Sequence, residues 1–185
     1  VAPHLTPFGA GSVLHFASIQ TFTGGFGWGL AEPRLDRDDH VVVTRDGVFH
    51  WRDVTPPQPA SMELESGWAG RFFALTSEMA WAVFYDRKGG ALPEQAWVWR
   101  TADAGTTWQT SFALDLGDSI GFIPLDLHFS DASTGWLLIA DAPERNPTSR
   151  RLLTTDDGGL HWSTLASWSS LTGEACEAQV VRRLS

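Results

Sequence analysis

Three octets in this chain, TRDGVFHW (44–51), TADAGTTW (101–108) and TDDGGLHW (155–162), share Thr at position 1, Asp at position 3 and Trp at position 8. Their aspartates, Asp46, Asp103 and Asp157, lie 57 and 54 residues apart, and Trp51, Trp108 and Trp162 keep the same intervals. A second marker runs in phase with the first. An apolar stretch, a polar link, a small residue and a tryptophan recur as SIQTFTGGFGW, FFALTSEMAW and LDLHFSDASTGW, setting Trp28, Trp81 and Trp136 at intervals of 53 and 55. Two markers on one period identify an internal repeat, and repeated units bury their apolar surface against one another.

Each unit reads as four short strands. Runs rich in β-branched and aromatic residues (VVVT, WVW, WLLI) alternate with Gly, Asp and Pro, the pattern of strands separated by turns. Strands are predicted over 16–22, 27–31, 40–45 and 49–54 in the first unit. In the second they are predicted over 70–76, 80–85, 96–101 and 107–113, and in the third over 124–129, 135–140, 150–155 and 161–166. Ten tryptophans, 18 glycines and 10 prolines favour this reading over a helical bundle. One four-stranded antiparallel sheet per repeat points to an all-β fold, a partial β-propeller of three four-stranded blades. The blades fall at about 16–55, 70–113 and 124–166, and CEAQVVRRLS (176–185) reads as a fourth-blade stub, making 1–185 one propeller segment.

The octet falls between the third and fourth strands and is therefore a hairpin loop. An Asp at position 3 can accept N–H bonds within its own turn, and the Thr hydroxyl can add a local bond. Gly105 and Gly159 admit positive φ, and the Trp fills a gap between elements provided its indole N–H finds a partner. Thr44, Asp46, Trp51, Thr101, Asp103, Gly105, Trp108, Thr155, Asp157, Gly159 and Trp162 are read as structural, as are Trp28, Trp81 and Trp136.

The pattern S/T-x-D-x-G-x-T/S-W resembles the Asp-box, or BNR repeat. That repeat occurs in sialidase propellers, sortilin-type receptor propellers and the propellers related to photosystem II assembly factors. The phrasing F-x-D-x-x-x-GW followed by T-x-D-G-G-x-x-W is most similar to the last group and covers nearly the whole chain. TADAGTTW matches throughout, TDDGGLHW has His161 at position 7, and TRDGVFHW departs further, with Gly47 early and Val48 in the glycine slot. The resemblance implies a propeller whose boxes lie on the face opposite the usual active site. It also implies an extracytoplasmic or secreted setting, as for many relatives. It does not choose a function, because enzymes, receptors and assembly factors share the box. A sialidase would need an arginine cluster and a tyrosine nucleophile. The chain has a single tyrosine, Tyr85, and the FIP of GFIPLDL (Phe122 to Pro124) lacks the arginine of the sialidase motif.

Opposite the boxes, the loops between the second and third strands are AEPRLDRDDH (31–40), DRKGGALPEQ (86–95) and ADAPERNPTS (140–149). Their charges define a candidate binding face: Arg34, Asp36, Arg37, Asp38 and Asp39, then Arg87, Lys88 and Glu94, then Asp141, Glu144 and Arg145. Loops on a rigid scaffold commonly carry function. The favoured reading is a non-catalytic binding or scaffold module for a protein or a glycan, with no catalytic residue assigned. The alternative is a glycoside hydrolase whose loop carboxylates serve as acid and base, which requires only two carboxyl groups about 5–10 Å apart.

No metal or cofactor is expected. The acidic DRDDH lacks calcium-loop spacing, the six histidines show neither HxH nor HxxxH, and Cys176 is the single cysteine. A formal charge of −9 argues against nucleic acid and anionic membrane as partners. No apolar run approaches the roughly 18 residues of a membrane span, and VAPHLTPFGAGS shows no basic-then-apolar leader. Propellers close with roughly four to eight blades. The remaining blades are expected from a longer chain, from self-association about a two-fold, or not at all, in an open sandwich of sheets.

Overall fold

The computed structural model describes residues 14–33, 39–47, 49–57, 68–86, 97–114, 122–141 and 149–169. They form three four-stranded antiparallel sheets, each a meander with its strands in chain order. Blade 1 holds β1 (Leu14–Thr21), β2 (Gly27–Pro33), β3 (His40–Thr44) and β4 (Arg52–Asp53). Blade 2 holds β5 (Trp68–Ala74), β6 (Ala80–Asp86), β7 (Val98–Thr101) and β8 (Gln109–Thr110). Blade 3 holds β9 (Phe122–Phe129), β10 (Gly135–Asp141), β11 (Ser149–Thr155) and β12 (Ser163–Ser169). One 3-10 turn, Thr23–Gly25, is the only helical element among the described residues.

The outer strands differ from the sequence expectation. Each begins one residue after the octet's tryptophan, and β4 and β8 are two residues long. The tryptophans stay in the turn because their rings are used there: Trp108 donates its indole N–H to the Val54 carbonyl of blade 1 at 2.7 Å, and Trp51 packs on Phe16 at 4.8 Å between centroids.

Strand alternation decides how the blades stack. Successive side chains of a strand point to opposite faces. In the run AWAVF of β6, Ala80, Ala82 and Phe84 therefore join blade 1, while Trp81 and Val83 join blade 3. A strand buried on both sides reads as a continuous apolar run, as this one does. The blade 1–blade 2 layer sets Trp28, Leu30, Val41 and Val43 against Ala82, Phe84 and Trp99. The blade 2–blade 3 layer sets Trp81, Val83 and Val98 against Leu127, Phe129, Leu137, Ile139 and Leu153. Trp81 lies flat on Phe129, with 3.7 Å between centroids and 7° between planes. Gly135 leaves room for that ring, since a Cβ there would meet Phe129 at 2.5 Å.

Polar links fix the blades in register. Trp28 donates its indole N–H to the Thr76 carbonyl at 3.0 Å, and Trp81 donates to the Gly158 carbonyl at 2.9 Å. The Gln20 amide bonds both the N–H (2.7 Å) and the carbonyl (3.2 Å) of Ala74. Arg71 donates its Nε–H to the Leu125 carbonyl at 3.0 Å. Among the described residues no buried side-chain polar atom lacks a partner.

Candidate functional site

The joints hold the three sheets side by side in one orientation, so their strand ends make two faces. One carries the octet turns. The other carries the ends of β2, β6 and β10 and the starts of β3, β7 and β11.

On the turn face the same local network forms three times. The position 1 hydroxyl donates to the position 3 carboxylate: Thr44 to Asp46 at 2.9 Å, Thr101 to Asp103 at 2.8 Å, Thr155 to Asp157 at 2.9 Å. That carboxylate then accepts the position 7 backbone N–H from His50, Thr107 and His161 at 3.0, 2.8 and 3.0 Å. The position 7 side chain closes the ring. Thr107 donates its hydroxyl to Asp103 at 2.6 Å, and the Nδ1 of His161 meets Asp157 at 2.6 Å, as that of His50 meets Asp46. An ionised carboxylate only accepts, so Nδ1 carries the proton in both histidines. Chain direction reverses through position 4, which is left-handed in all three turns: Gly47 at φ 74°, Ala104 at 57° and Gly158 at 75°. Gly47, one residue ahead of the glycine slot, thus occupies a position that is left-handed in the other two turns as well. Gly105 and Gly159 at position 5 are also left-handed, and each donates its N–H to the position 1 hydroxyl.

These bonds shift the carboxylates. The His50 side-chain bond, joined by its backbone N–H and Thr44, holds Asp46 at about 2. For Asp157 burial pushes upward, but the His161 backbone and side-chain bonds and the Thr155 hydroxyl outweigh it and leave the group at about 2. Asp103 is lowered in the same way, burial opposing and the Thr107 and Thr101 bonds prevailing. Such a network locks a turn: each carboxylate is held by the position 1 hydroxyl and by the backbone and side chain of position 7.

The opposite face is where charged binding loops were expected. Arg34, Asp36, Arg37 and Asp38, Arg87, Lys88 and Glu94, and Glu144 and Arg145 all lie outside the described residues. Asp141 ends β10, and the description covers its backbone only. Asp39 is a correction. It is 3% exposed, not a loop-tip charge, and its carboxylate accepts the Gly70 N–H of blade 2 at 2.8 Å. A buried carboxylate is tolerable only when hydrogen-bonded, and here it ties two blades together.

Beside it, His40 and Thr55 share the Asp53 carboxylate. His40 Nδ1 is 2.7 Å from one oxygen, and the Thr55 hydroxyl and N–H donate to the other at 2.6 and 2.8 Å. Burial raises Asp53, but the His40 and Thr55 bonds outweigh it and hold the group below the ordinary carboxylate value. In a hydrolytic triad the hydroxyl faces the imidazole nitrogen that the carboxylate does not hold. Here the Thr55 hydroxyl is bonded to the carboxylate and lies nearest Nδ1, so the trio is a brace between β3 and the chain leaving β4. Among the described residues no group of three or more His, Cys, Asp or Glu is placed to hold a metal ion, and no helix is long and apolar enough to cross a membrane.

Sequence reasoning missed Gln20 and Arg71 as inter-blade links and the position 7 side chain as the third partner of the octet aspartate. The available signals were the 54-residue separation shared by Gln20–Ala74 and Arg71–Leu125, and the presence of a hydrogen-bond donor at position 7 of every octet.

No protein-family model matches the chain. No curated protein matches it either. Among solved structures it is similar to "YCF48 bound to D1 peptide", at a TM-score of 0.50 and 14% identity over 87% of this chain. The chain spans 42% of that protein's length. With three stacked four-stranded sheets on the page, that likeness establishes the fold as a partial β-propeller.

Proposed function

We propose that this chain is a non-catalytic propeller module that binds a protein segment through the loops opposite the octet turns. The observation that carries the reading is the likeness in fold to a propeller solved with a peptide bound. Two features of the chain support the choice of face. The octet carboxylates are engaged in their own turns. The connections after β2, β6 and β10 leave the same side of the three sheets and carry charges of both signs, suited to a polar partner. The octets are read as Asp-boxes on the strength of the recurring Thr–Asp–position 7 network.

The test starts from a display library of random 12-residue peptides selected on the 185-residue chain. An enriched peptide is then titrated against wild type and against a variant carrying Arg34→Gln, Asp36→Asn, Arg37→Gln and Asp38→Asn. Asp39 is left intact because it holds a blade joint. Affinity should fall at least tenfold with an unchanged melting temperature. Failure to enrich any peptide, or full affinity in the variant, would overturn the proposal. A glycan array read for turnover covers the hydrolase reading, and turnover abolished by the same substitutions would replace binding with catalysis.

A further inference from the structure

Every joint sets the back of one blade against the front of the next, so the first and last blades each keep one side without a neighbour among the described residues. The backs come first. Trp28 on blade 1 and Trp81 on blade 2 are fully buried, and each donates its indole N–H to a carbonyl of the following blade. Leu30 and Val41 are buried beside Trp28, as Val83 and Val98 are beside Trp81. On blade 3 the residues in the same register are Trp136, Leu138 and Leu152. All three are half-exposed.

The front of blade 1 is open at the matching places. On each inner strand, one residue pairs with the residue that follows the tryptophan of the next strand: Ile19 with Gly29, Phe72 with Ala82 and Leu127 with Leu137. Phe72 packs on the blade before it, its ring 5.5 Å from that of Trp28, and Leu127 is buried against blade 2. Ile19 is 48% exposed. Two residues further on, Ala74 and Phe129 are buried while Thr21, in the same register, is exposed. Phe16 and Trp51 lie on this front over Gly29 and Gly27, against one another and half-exposed. The chain therefore carries both halves of one joint, an apolar back on blade 3 and an apolar front on blade 1.

We propose that the chain pairs head to tail with a second copy of itself, the back of blade 3 in each copy stacking on the front of blade 1 in the other, with Trp136 and Leu138 against Ile19 and Phe16 of the partner. The contact continues the joint already seen twice within the chain, and burial of the same kind of apolar surface drives it. A back-to-front contact is heterologous, and it closes into a ring when its rotation adds up to a full turn. With three blades from each chain the ring has six, within the roughly four to eight that propellers use. Three of six equal steps make half a turn, so two identical joints related by a two-fold complete it. The Trp81 indole is received by the carbonyl of octet position 4, Gly158. Blade 1 carries Gly47 at that position, left-handed like Gly158, to receive Trp136.

Sedimentation of the 185-residue chain tests this directly and should give twice the mass of one chain at micromolar concentration. Ile19→Arg alters the front and Leu138→Arg the back. Each places an unpaired charge in both joints and should weaken the pairing by about tenfold or more while the far-UV circular dichroism stays that of wild type. Thr21→Arg, at a second exposed front position, repeats the test should Leu138→Arg fail to fold. Mixing the Ile19→Arg and Leu138→Arg chains should recover a two-chain species at higher concentration, because the intact back of the first meets the intact front of the second. A single mass at every concentration overturns the pairing and assigns the open faces to another occupant, such as the chain's own 176–185, which lies outside the described residues. A double mass lost in Leu138→Arg but kept in Ile19→Arg and Thr21→Arg would mean that two blade 3 backs meet each other, and overturns the head-to-tail joint as well.

Discussion

Replacing single glycines of the octet turns by alanine should cost stability in an order set by the distance to the neighbouring blade. Gly47, Gly159 and Gly105 all have positive φ, at 74°, 90° and 76°, so each alanine meets the same backbone penalty. That penalty is about 1–2 kcal/mol for a left-handed residue bearing a Cβ. It is reduced by the ~0.4–1 kcal/mol that the stiffer unfolded chain returns. What differs is the space. A Cβ on Gly47 meets nothing within 4 Å, one on Gly159 comes to 3.3 Å from the Trp81 indole, and one on Gly105 comes to 2.6 Å from the Val54 Cβ. The last is closer than real Cβ contacts come. Val54 is fully buried and its carbonyl is already fixed by the Trp108 indole, so it has little freedom to withdraw.

Overpacking of this kind adds about 1–3 kcal/mol. Gly47→Ala should therefore cost roughly 1 kcal/mol and Gly105→Ala roughly 2–4 kcal/mol, with Gly159→Ala between them. At roughly 2–4 °C per kcal/mol for a chain of this size, the extremes should differ by several degrees in Tm. Urea unfolding followed by far-UV circular dichroism gives the free energies, and calorimetry gives Tm. Equal costs at all three positions would refute the argument, because they would mean that the glycines serve backbone conformation alone and the joint is not tight.

The octet carboxylates predict an acid limb. Asp46 and Asp157 lie at about 2 in the folded chain against an ordinary 3.8, so their stabilising contribution is complete above about pH 4 and is lost as pH falls towards 2. Asp157→Asn should therefore lower Tm at pH 6 while matching wild type near pH 2, as read by melting scans across that range. Trp81→Phe removes a bond to Gly158 and part of a stacked, fully buried indole, and should cost about 2–3 kcal/mol in urea unfolding. Asp39→Ala strands the Gly70 N–H at the blade 1–blade 2 joint and should cost about 1–3 kcal/mol, whereas Asp36→Ala should stay within about 0.5 kcal/mol by the same measurement.

The architecture was legible because its markers are joint residues. Trp28 and Trp81 each sit where one blade meets the next, so the spacing of the repeat in sequence is the spacing of contacts in space. The number of strands per blade followed from β-branched and aromatic runs broken by Gly and Asp. Strand ends were less legible. Nothing local says that Trp108 will turn its indole to Val54 instead of opening β8, since that choice is made by a residue 54 positions away. The same holds for Gln20 and Arg71. Polar residues on an otherwise apolar inner strand look like a solvated edge until the next inner strand is brought alongside.

Asp39 shows why a run of charges cannot be divided by sequence alone. In LDRDDH, Asp36, Asp38 and Asp39 look interchangeable, yet Asp39 stands next to β3, and its carboxylate reaches Gly70, 31 residues further on. A charge adjacent to a strand inherits that strand's burial; one a few residues earlier need not. The octets make the converse point. Thr107, His50 and His161 are chemically unlike, yet each satisfies the same carboxylate, so what position 7 requires is a donor of suitable reach. A histidine there is explained by the turn and needs no catalytic role to account for it. Under the proposed function the two faces should therefore separate experimentally. Changes at the octets should be felt first as stability, because Gly105 and Gly158 also touch the neighbouring blades. Changes at Arg34, Asp36, Arg37 and Asp38 should be felt as affinity at constant stability. A substitution at Asp39 should affect both, since it loosens the joint on which that loop is anchored.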